Sequence, residues 1–183
     1  MAKTNDIIEN PVSGTKIQFL ITAEDSNGEM IRKKIWNKKG AQGPPEHMHP
    51  TQIETFEILS GTAAVKLYGK EQIFTAGQSF TVPENAPHTF HNAGQEELVM
   101  IVEVRPALRT EFFVESMYAL AKQGKVNKKA VPNFLQMMTL LNEYYGEGFL
   151  VGPPVLVQKI LAKVVGGIGK LFGLKGYLPY SAN

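Results

Sequence analysis

The chain contains no cysteine in its 183 residues. Disulfides, thiolate nucleophiles and zinc sites built from cysteine are therefore excluded. Histidine occurs only four times, so any cluster of histidines concentrates a scarce residue type. Residues 1–14 lack the apolar stretch of a signal peptide, which predicts a cytoplasmic protein. An apolar fraction of 43% and a charged fraction of 20% are typical of a folded globular protein.

The formal net charge is only +2, which is too small to indicate nucleic-acid binding. A helix-turn-helix segment and a long basic run are also lacking from the sequence. The charge is nevertheless uneven along the chain. Residues 1–107 hold ten Lys/Arg against thirteen Asp/Glu, whereas residues 108–183 hold nine against four. This asymmetry predicts two parts of different character, divided near residue 107.

Short segments of alternating apolar and polar residues fill the first part, separated by clusters of Gly, Pro and Asn. We find no helical period between them. Several short strands at this spacing are typical of a β-sandwich or a small barrel. A hairpin turn is predicted near Gly69, and the predicted strands are 15–22, 30–36, 54–61, 62–69, 71–77, 79–83, 88–92 and 97–106.

The second part switches to a helical period. The segment 109–125 carries an apolar stripe that predicts a helix ending near Gly124, with the residues Phe113, Met117, Leu120 and Ala121. The segment 131–148 predicts a second helix, with Pro132 in its first turn and Gly146 at its end. Its predicted core-facing stripe comprises Phe134, Met138, Leu141 and Tyr145.

Residues 155–174 form a mostly apolar stretch as long as a membrane span. Three lysines inside it fall within about 40° of one another on a helical wheel at about 100° per residue. Apolar residues collect on the opposite side, namely Val157, Ile160, Leu161, Val164, Ile168 and Leu171. The segment is therefore predicted to be an amphipathic helix, not a span. Its role stays open between docking on the barrel or a second subunit and contact with a membrane surface.

Two of the four histidines stand one residue apart in EHMHPTQIETFEILSG, residues 46–61. On an extended segment, residues i and i+2 face the same side, so His47 and His49 can converge on one ion. Glu54 follows after a turn led by Pro50 and can supply an oxygen atom to the same ion. Such ligands hold a small cation at about 2.0–2.2 Å, so the stretch predicts a metal site.

The remaining histidines, His88 and His91, are three residues apart on a predicted strand. They therefore face opposite sides, and at most one of them can join the site. The segment 83–87 begins and ends with proline and predicts a turn that places His88 at the start of the strand. Asn85 within this turn tolerates a left-handed backbone.

Both blocks resemble the paired motifs of the cupin superfamily, over about residues 15–107. The first motif has a glycine, then His-x-His, Glu and Gly at set spacings, and is represented here by Gly40 or Gly43, then His47, His49, Glu54 and Gly61. The second motif is represented by Gly77, Pro83, His88 and Asn92. Asn85 stands where that motif has a middle glycine, a mild departure because asparagine also adopts positive φ.

The resemblance implies an all-β jelly-roll barrel (a double-stranded β-helix) over residues 1–107, which binds one divalent metal. An α-helical C-terminal extension over residues 108–183 would then pack on the barrel or on a partner subunit. The implied metal ligands are His47, His49, Glu54 and His88. His91 has no ligand counterpart in the family's motif.

Four neighbouring side chains are assigned from their positions relative to the predicted ligands. Phe56 shares a strand face with Glu54, and Phe90 shares one with His88, so both are expected to line the pocket. Glu57 is three residues from Glu54 and thus on the opposite face. Glu57 and Glu46 are therefore expected to be solvated neighbours of the site.

A site of three histidines and one carboxylate leaves coordination positions open for water, dioxygen or substrate. It suits iron, manganese, nickel, cobalt, copper or zinc without selecting one. The predicted function is a metal-dependent oxygenase or isomerase that acts on a small organic molecule. Resemblance to dioxygenase-type cupins suggests that Glu54 alternates between metal ligand and catalytic base. The alternative is a non-catalytic cupin that binds or senses a small ligand with a bound metal. The resemblance also implies a homodimer.

Overall fold

A computed structural model describes residues 2–180 and contains two antiparallel β-sheets followed mainly by helices. The strands are β1 (Ile7–Asn10), β2 (Thr15–Ile21), β3 (Ile31–Asn37), β4 (His47–Met48), β5 (Ile53–Ser60), β6 (Thr62–Leu67), β7 (Lys70–Thr75), β8 (Ser79–Val82), β9 (His88–Asn92), β10 (Leu98–Arg105) and β11 (Phe149–Leu150). The helices are α1 (Thr110–Lys122), α2 (Phe134–Glu143) and α3 (Val155–Leu171).

The two sheets pack face to face as a jelly roll. The six-stranded sheet has the order β1-β2-β3-β10-β5-β8, and the five-stranded sheet has the order β11-β4-β9-β6-β7. Every second residue of β10 is buried, as the two-residue period of a half-buried strand requires. The largest fully buried side chains between the sheets include Phe19, Ile31, Ile58, Leu98 and Met100. Each such side chain stabilises the fold by about 1.5–3 kcal/mol through burial.

The prediction of an all-β jelly roll with a helical C-terminal extension is confirmed. Eight of the strands coincide with predicted segments to within two residues at each end. Three strands, β1, β4 and β11, were not predicted as strands. They are two to four residues long, so they are too short to show an alternating pattern in sequence.

Two features of the predicted second helix are wrong. Pro132 does not lie in the first turn of α2, because the Asn133 side chain accepts a hydrogen bond from Gln136 N at 2.9 Å and caps the helix. The predicted core-facing stripe is also displaced, since Phe134 is 59% exposed. The buried positions of α2 and of the residue that follows it are instead Gln136, Thr139, Leu140 and Tyr144. This face is selected by the neighbouring α1 and α3, against which it packs.

Helix α3 has the predicted bounds to within three residues, but it packs through an unexpected face. Its buried residues are small, namely Ala162, Gly166 and Gly169, and they lie against α2. The predicted apolar stripe is mostly exposed instead, and only Leu161 within it is half-buried. None of the helices in the described part of the chain combines the length and hydropathy that crossing a membrane requires.

The C-terminal segment is tied to the barrel at two places. Strand β11 pairs with β4 and so extends the five-stranded sheet. The buried Glu115 carboxylate on α1 accepts hydrogen bonds from Tyr177 Oη at 2.7 Å and from Tyr180 N at 3.0 Å. Tyr180 Oη in turn accepts from Glu9 N on β1 at 3.2 Å. The segment after residue 107 is therefore interleaved with the β-sheets.

Gly61 occupies the last position of the first motif, between β5 and β6. We expect Gly61→Ala to lower the free energy of unfolding by about 2–5 kcal/mol, measured by chemical denaturation. Its φ of +81° is strained for alanine by about 1–2 kcal/mol. The added Cβ would also lie 2.7 Å from Glu97 O and 2.8 Å from Leu98 Cα, a clash that costs about 1–3 kcal/mol more.

Gly69 provides the matched control. It has a φ of +77°, but a Cβ there would meet nothing within 4 Å. Gly69→Ala should therefore show the backbone strain without the clash, and should destabilise the protein less. Equal destabilisation by the two substitutions would contradict the assigned close approach of Gly61 to the strand β10.

Candidate metal centre

Strands β4 and β9 bring two of the histidines together. His47 lies directly opposite His88 in the antiparallel pairing of these strands. Their ring centroids are 4.3 Å apart. His49 follows immediately after β4, and its ring centroid is 4.9 Å from that of His47. The alternation of an extended segment thus places both histidines of the His-x-His pair on the same side, as predicted.

Glu54 reaches the same place from the opposite sheet. It lies on β5 of the six-stranded sheet, and its Oε2 is 2.9 Å from His88 Nε2. Its Oε1 is 4.0 Å from His49 Nε2. One ligand atom from each of His47, His49, Glu54 and His88 lies within 4.8 Å of the other three, so this cluster could hold a metal ion. His91 is not in the cluster, since it lies opposite Ala64 on β6.

Each of the three histidine rings in the cluster is held by a backbone carbonyl. The Nδ1 of His47 donates to Pro45 O, that of His49 donates to Glu147 O, and that of His88 donates to Ala86 O. Each of these distances is 2.9 Å. Because a carbonyl can only accept, the proton of each neutral ring is on Nδ1. The lone pair is therefore on Nε2, the arrangement that characterises metal-binding histidines.

The contact between His88 and Glu54 tests whether a cation fits. His88 Nε2 is buried and lacks a well-oriented hydrogen bond within residues 2–180. In a neutral His88 ring with its proton on Nδ1, Nε2 and Glu54 Oε2 would present lone pairs to each other at 2.9 Å, so this contact favours a cation between them, either a proton or a metal ion. Two ligands at right angles, each about 2.1 Å from one ion, would be about 3 Å apart. The observed separation therefore suits two neighbouring ligands of a small divalent cation.

The electrostatics of the cluster follow from burial and from its mixed charges. Burial, followed by the neighbouring His88 and His49 rings, lowers the pKa of His47 to about 3. Burial alone would raise the pKa of Glu54, but the adjacent histidines and Lys33 outweigh it and lower this pKa to about 2. Burial acts to lower the pKa of His88, but the Glu54 carboxylate raises it above its ordinary value. The carboxylate is thus ionised and the His47 ring is neutral at pH 7.

Lys33 is a residue near the site that was not predicted. It lies on β3 with its side chain buried in the barrel interior, where desolvation lowers its pKa and the Glu54 charge acts in the opposite direction. The sequence contained a signal for it. In the segment 31–35, Lys33 alternates in phase with Ile31 and Ile35, both of which are buried. A lysine on the apolar face of a strand indicates a buried charge with a partner.

Two residues outside the cluster shape the loops that carry it. Asn85 has a φ of 58°, in the left-handed region predicted for it, and donates from its backbone N to His49 O at 2.8 Å. Gly43 donates to Phe90 O at 3.0 Å, and a Cβ at Gly43 would overlap that carbonyl. Gly43 is thus the glycine whose lack of a side chain lets the chain approach β9.

The other residues singled out in the sequence lie as follows. Phe56 and Phe90 both face the barrel interior, with ring centroids 5.8 Å apart, and Phe56 stacks on Phe80 at 4.6 Å. Glu57 is exposed on the outer face of β5. Glu46 is half-buried, and its carboxylate accepts from Lys66 Nζ at 2.9 Å. Neither glutamate belongs to the cluster of four.

Glu147 contributes to the site from the C-terminal segment, through the carbonyl that holds His49. The next residue, Gly148, lies beside the same ring, since a Cβ there would be 3.4 Å from His49 Cε1. No local pattern could predict this contact, because 98 residues separate His49 from Glu147. The loop before β11 therefore holds and contacts the imidazole ring of His49.

Comparison with known proteins agrees with this architecture. The model of the Cupin domain family matches residues 37–104, which include all four residues of the cluster. Among solved structures, an RmlC-like cupin from Shewanella frigidimarina is 27% identical, with a TM-score of 0.50 over 61% of this chain and 92% of that chain. The part of the chain that the family model matches therefore lies within the barrel.

Two curated fungal proteins are similar over more of the chain. A probable oxidoreductase of Hypocrea virens is 30% identical over 157 residues, which cover 78% of this chain and 68% of that protein. An oxidoreductase of Arthrobotrys oligospora is 25% identical over an alignment of 198 residues including gaps, which covers 93% of this chain and 76% of that protein. Together with the two packed sheets and the paired motifs that bring the histidines and the glutamate together, these likenesses establish that the chain belongs to the cupin family.

Proposed function

We propose that this cupin binds one divalent transition metal through His47, His49, Glu54 and His88 and oxidises a small organic molecule. The observation that carries the proposal is the orientation of the three imidazoles. Each Nδ1 is occupied by a backbone carbonyl, so each Nε2 is left available beside the Glu54 carboxylate. Such orientation is unnecessary for histidines that only fill a core, and metal ligands depend on it.

The donor set suits iron, manganese, nickel, cobalt, copper or zinc. A bound metal would supply redox or Lewis-acid chemistry at coordination positions that the four side chains leave open. The two fungal relatives are named as oxidoreductases, which supports oxidation over isomerisation as the reaction class. Their names state no substrate.

Glu54 is the residue to which we assign proton transfer. Its Oε2 is engaged by His88 at 2.9 Å, whereas its Oε1 is 4.0 Å from His49 Nε2. One oxygen atom would serve as a ligand while the other accepts a proton from a bound substrate that is itself acidic, since a carboxylate with a pKa of about 2 is only a weak base. Phe56 and Phe90, two residues beyond Glu54 and His88, provide apolar surface for a small organic ligand. The homodimer implied by the family resemblance stays a prediction.

The metal assignment predicts how histidine variants behave. Purified protein should hold close to one transition-metal ion per chain. His47→Ala and His88→Ala should each lower metal affinity by at least about tenfold, because each removes a ligand nitrogen. Elemental analysis by mass spectrometry after dialysis against a weak chelator measures the content.

His91→Ala is the matched control. His91 lies on the same strand as His88 but outside the cluster, so its loss should leave the metal content unchanged. Circular dichroism of the metal-free variants separates loss of metal from loss of fold. Full metal retention in folded His47→Ala and His88→Ala would contradict the ligand assignment.

If the protein oxidises a small molecule, the metal-loaded protein should consume oxygen and bind the substrate near the metal. Iron-loaded protein should consume oxygen with at least one compound from a panel of small carboxylic acids, phenols and carbonyl compounds. Electron paramagnetic resonance of manganese-loaded protein should change when that compound binds. Glu54→Gln should lower kcat by about 10²–10⁴-fold, because the amide cannot accept the proton and is also a weaker metal ligand than the carboxylate. Metal content measured on the same variant separates the two effects.

Glu57→Gln serves as the control, since Glu57 is exposed on the outer face of the same strand. It should retain both the spectral change and the oxygen uptake. An unchanged spectrum together with no oxygen uptake across the whole panel would count against an enzyme and would favour a non-catalytic cupin.

A further inference from the structure

Helix α3 turns its large apolar side chains away from the rest of the chain. Seven of them form one continuous outward surface, which we call the outer face of α3: Leu156 (68% exposed), Val157 (45%), Ile160 (52%), Val164 (56%), Ile168 (43%), Leu171 (88%) and Phe172 (77%). At about 100° per residue these positions cover one side of the helix. A contiguous exposed apolar surface of this kind marks an interaction site.

The orientation of α3 is fixed by glycines on its opposite side. A Cβ at Gly166 would overlap Met138 O, and one at Gly169 would overlap Thr139 Oγ1. The two helix backbones therefore approach too closely for any side chain at these positions. The helix cannot rotate to bury its outer face against α2, because Val164 or Ile168 would then have to enter the same space.

A row of lysines borders the outer face on one side. Lys159, Lys163 and Lys170 fall within about 40° of one another around the helix. Lys159 also lies over the Phe149 ring at 5.5 Å, and Lys170 Nζ donates to Glu143 Oε2 at 2.8 Å. Beyond Glu147 the sequence has four lysines and no acidic residue. The border of the outer face is therefore suited to an anionic partner.

We propose that α3 binds flat on an anionic lipid surface, with its outer face inserted among the acyl chains and the lysine row at the headgroups. An amphipathic helix with apolar residues on one face and lysines beside it has the design of an interfacial membrane helix. Anionic lipids attract such lysines, and each lysine near the surface raises the partition coefficient by about fivefold. The long lysine side chains can reach the headgroups while the helix axis lies deeper in the bilayer.

A second copy of the chain is the competing occupant of the outer face. Antiparallel pairing of two α3 helices would bring both lysine rows to the same edge of the interface. Glu143 already balances Lys170. The segment after Glu147, however, offers no carboxylate for Lys159 and Lys163. Like charges at a shared edge disfavour association, whereas an anionic bilayer complements Lys159 and Lys163. The charge pattern therefore favours the lipid surface over an antiparallel pair of α3 helices.

Vesicle flotation tests the proposal directly. The full-length protein should bind vesicles of phosphatidylcholine mixed with phosphatidylglycerol, and should bind vesicles of phosphatidylcholine alone more weakly. Binding to the anionic vesicles should fall as salt is raised, because salt screens the attraction of the lysines. Ile160→Glu should lower the partition coefficient by about tenfold or more, since it places a charge in the inserted face.

Matched controls lie on β7, the edge strand of the five-stranded sheet that is furthest from β11. Ile73 is 55% exposed, close to the 52% of Ile160, so Ile73→Glu makes the same change on a surface outside the outer face. It should bind vesicles like the unmodified protein. Lys163→Gln should weaken binding to anionic vesicles by about fivefold, whereas Lys70→Gln, on the same strand as Ile73, should not. Circular dichroism confirms that each variant is folded.

Three outcomes would overturn the proposal. The first is absence of binding to either vesicle type. The second is equal weakening by Ile160→Glu and Ile73→Glu, which would mean that the outer face is not the contact surface. The third is a dimer, measured by light scattering, that Ile160→Glu converts to a monomer while vesicles remain unbound. That result would assign the outer face to a second copy of the chain.

Discussion

Aromatic packing between the two sheets is the constraint on which the site depends. Phe56 stacks on Phe80 within the six-stranded sheet, and its ring meets Phe90 of the five-stranded sheet at 5.8 Å. Glu54 and His88 lie two residues from Phe56 and Phe90 on the same strand faces. The separation of the sheets at the aromatic rings therefore sets the separation of carboxylate and imidazole, and it brings these polar groups to 2.9 Å. A buried pair of this kind needs a rigid setting to be stable.

The C-terminal extension is part of this setting. Strand β11 extends the five-stranded sheet beside β4, and the Glu147 carbonyl just before it orients His49. Further along, residues 177–180 return to α1 through the buried Glu115. The extension thus serves two surfaces at once. One side supports the histidine cluster, while the outer face of α3 is left for a partner, which we propose is a lipid surface.

Sequence patterns predicted the elements and the buried face of α1 well, but the face of α2 poorly. The strands 31–37 and 98–105 were found because their two-residue alternation results from burial of one strand face. The face of α2 was mistaken because large apolar residues were assumed to be the buried ones. For α3 the structure excludes only the packing of the apolar stripe on the chain's own barrel, one of the roles that the sequence left open. In α3 the buried residues are small, since close approach of two helix backbones requires glycine at the contact. Hydrophobicity alone does not carry this information.

The sequence by itself determined the spacing of the two motifs, the parity that puts His47 and His49 on one side, and the exclusion of one member of the pair His88 and His91. These follow from strand geometry, which acts between near neighbours in the chain. Only the tertiary structure decided that Lys33 is buried where its charge interacts with that of Glu54, that Glu147 holds His49, and that the apolar stripe of α3 faces outward. Each of these depends on atoms that are distant in sequence and meet only when the sheets and helices pack.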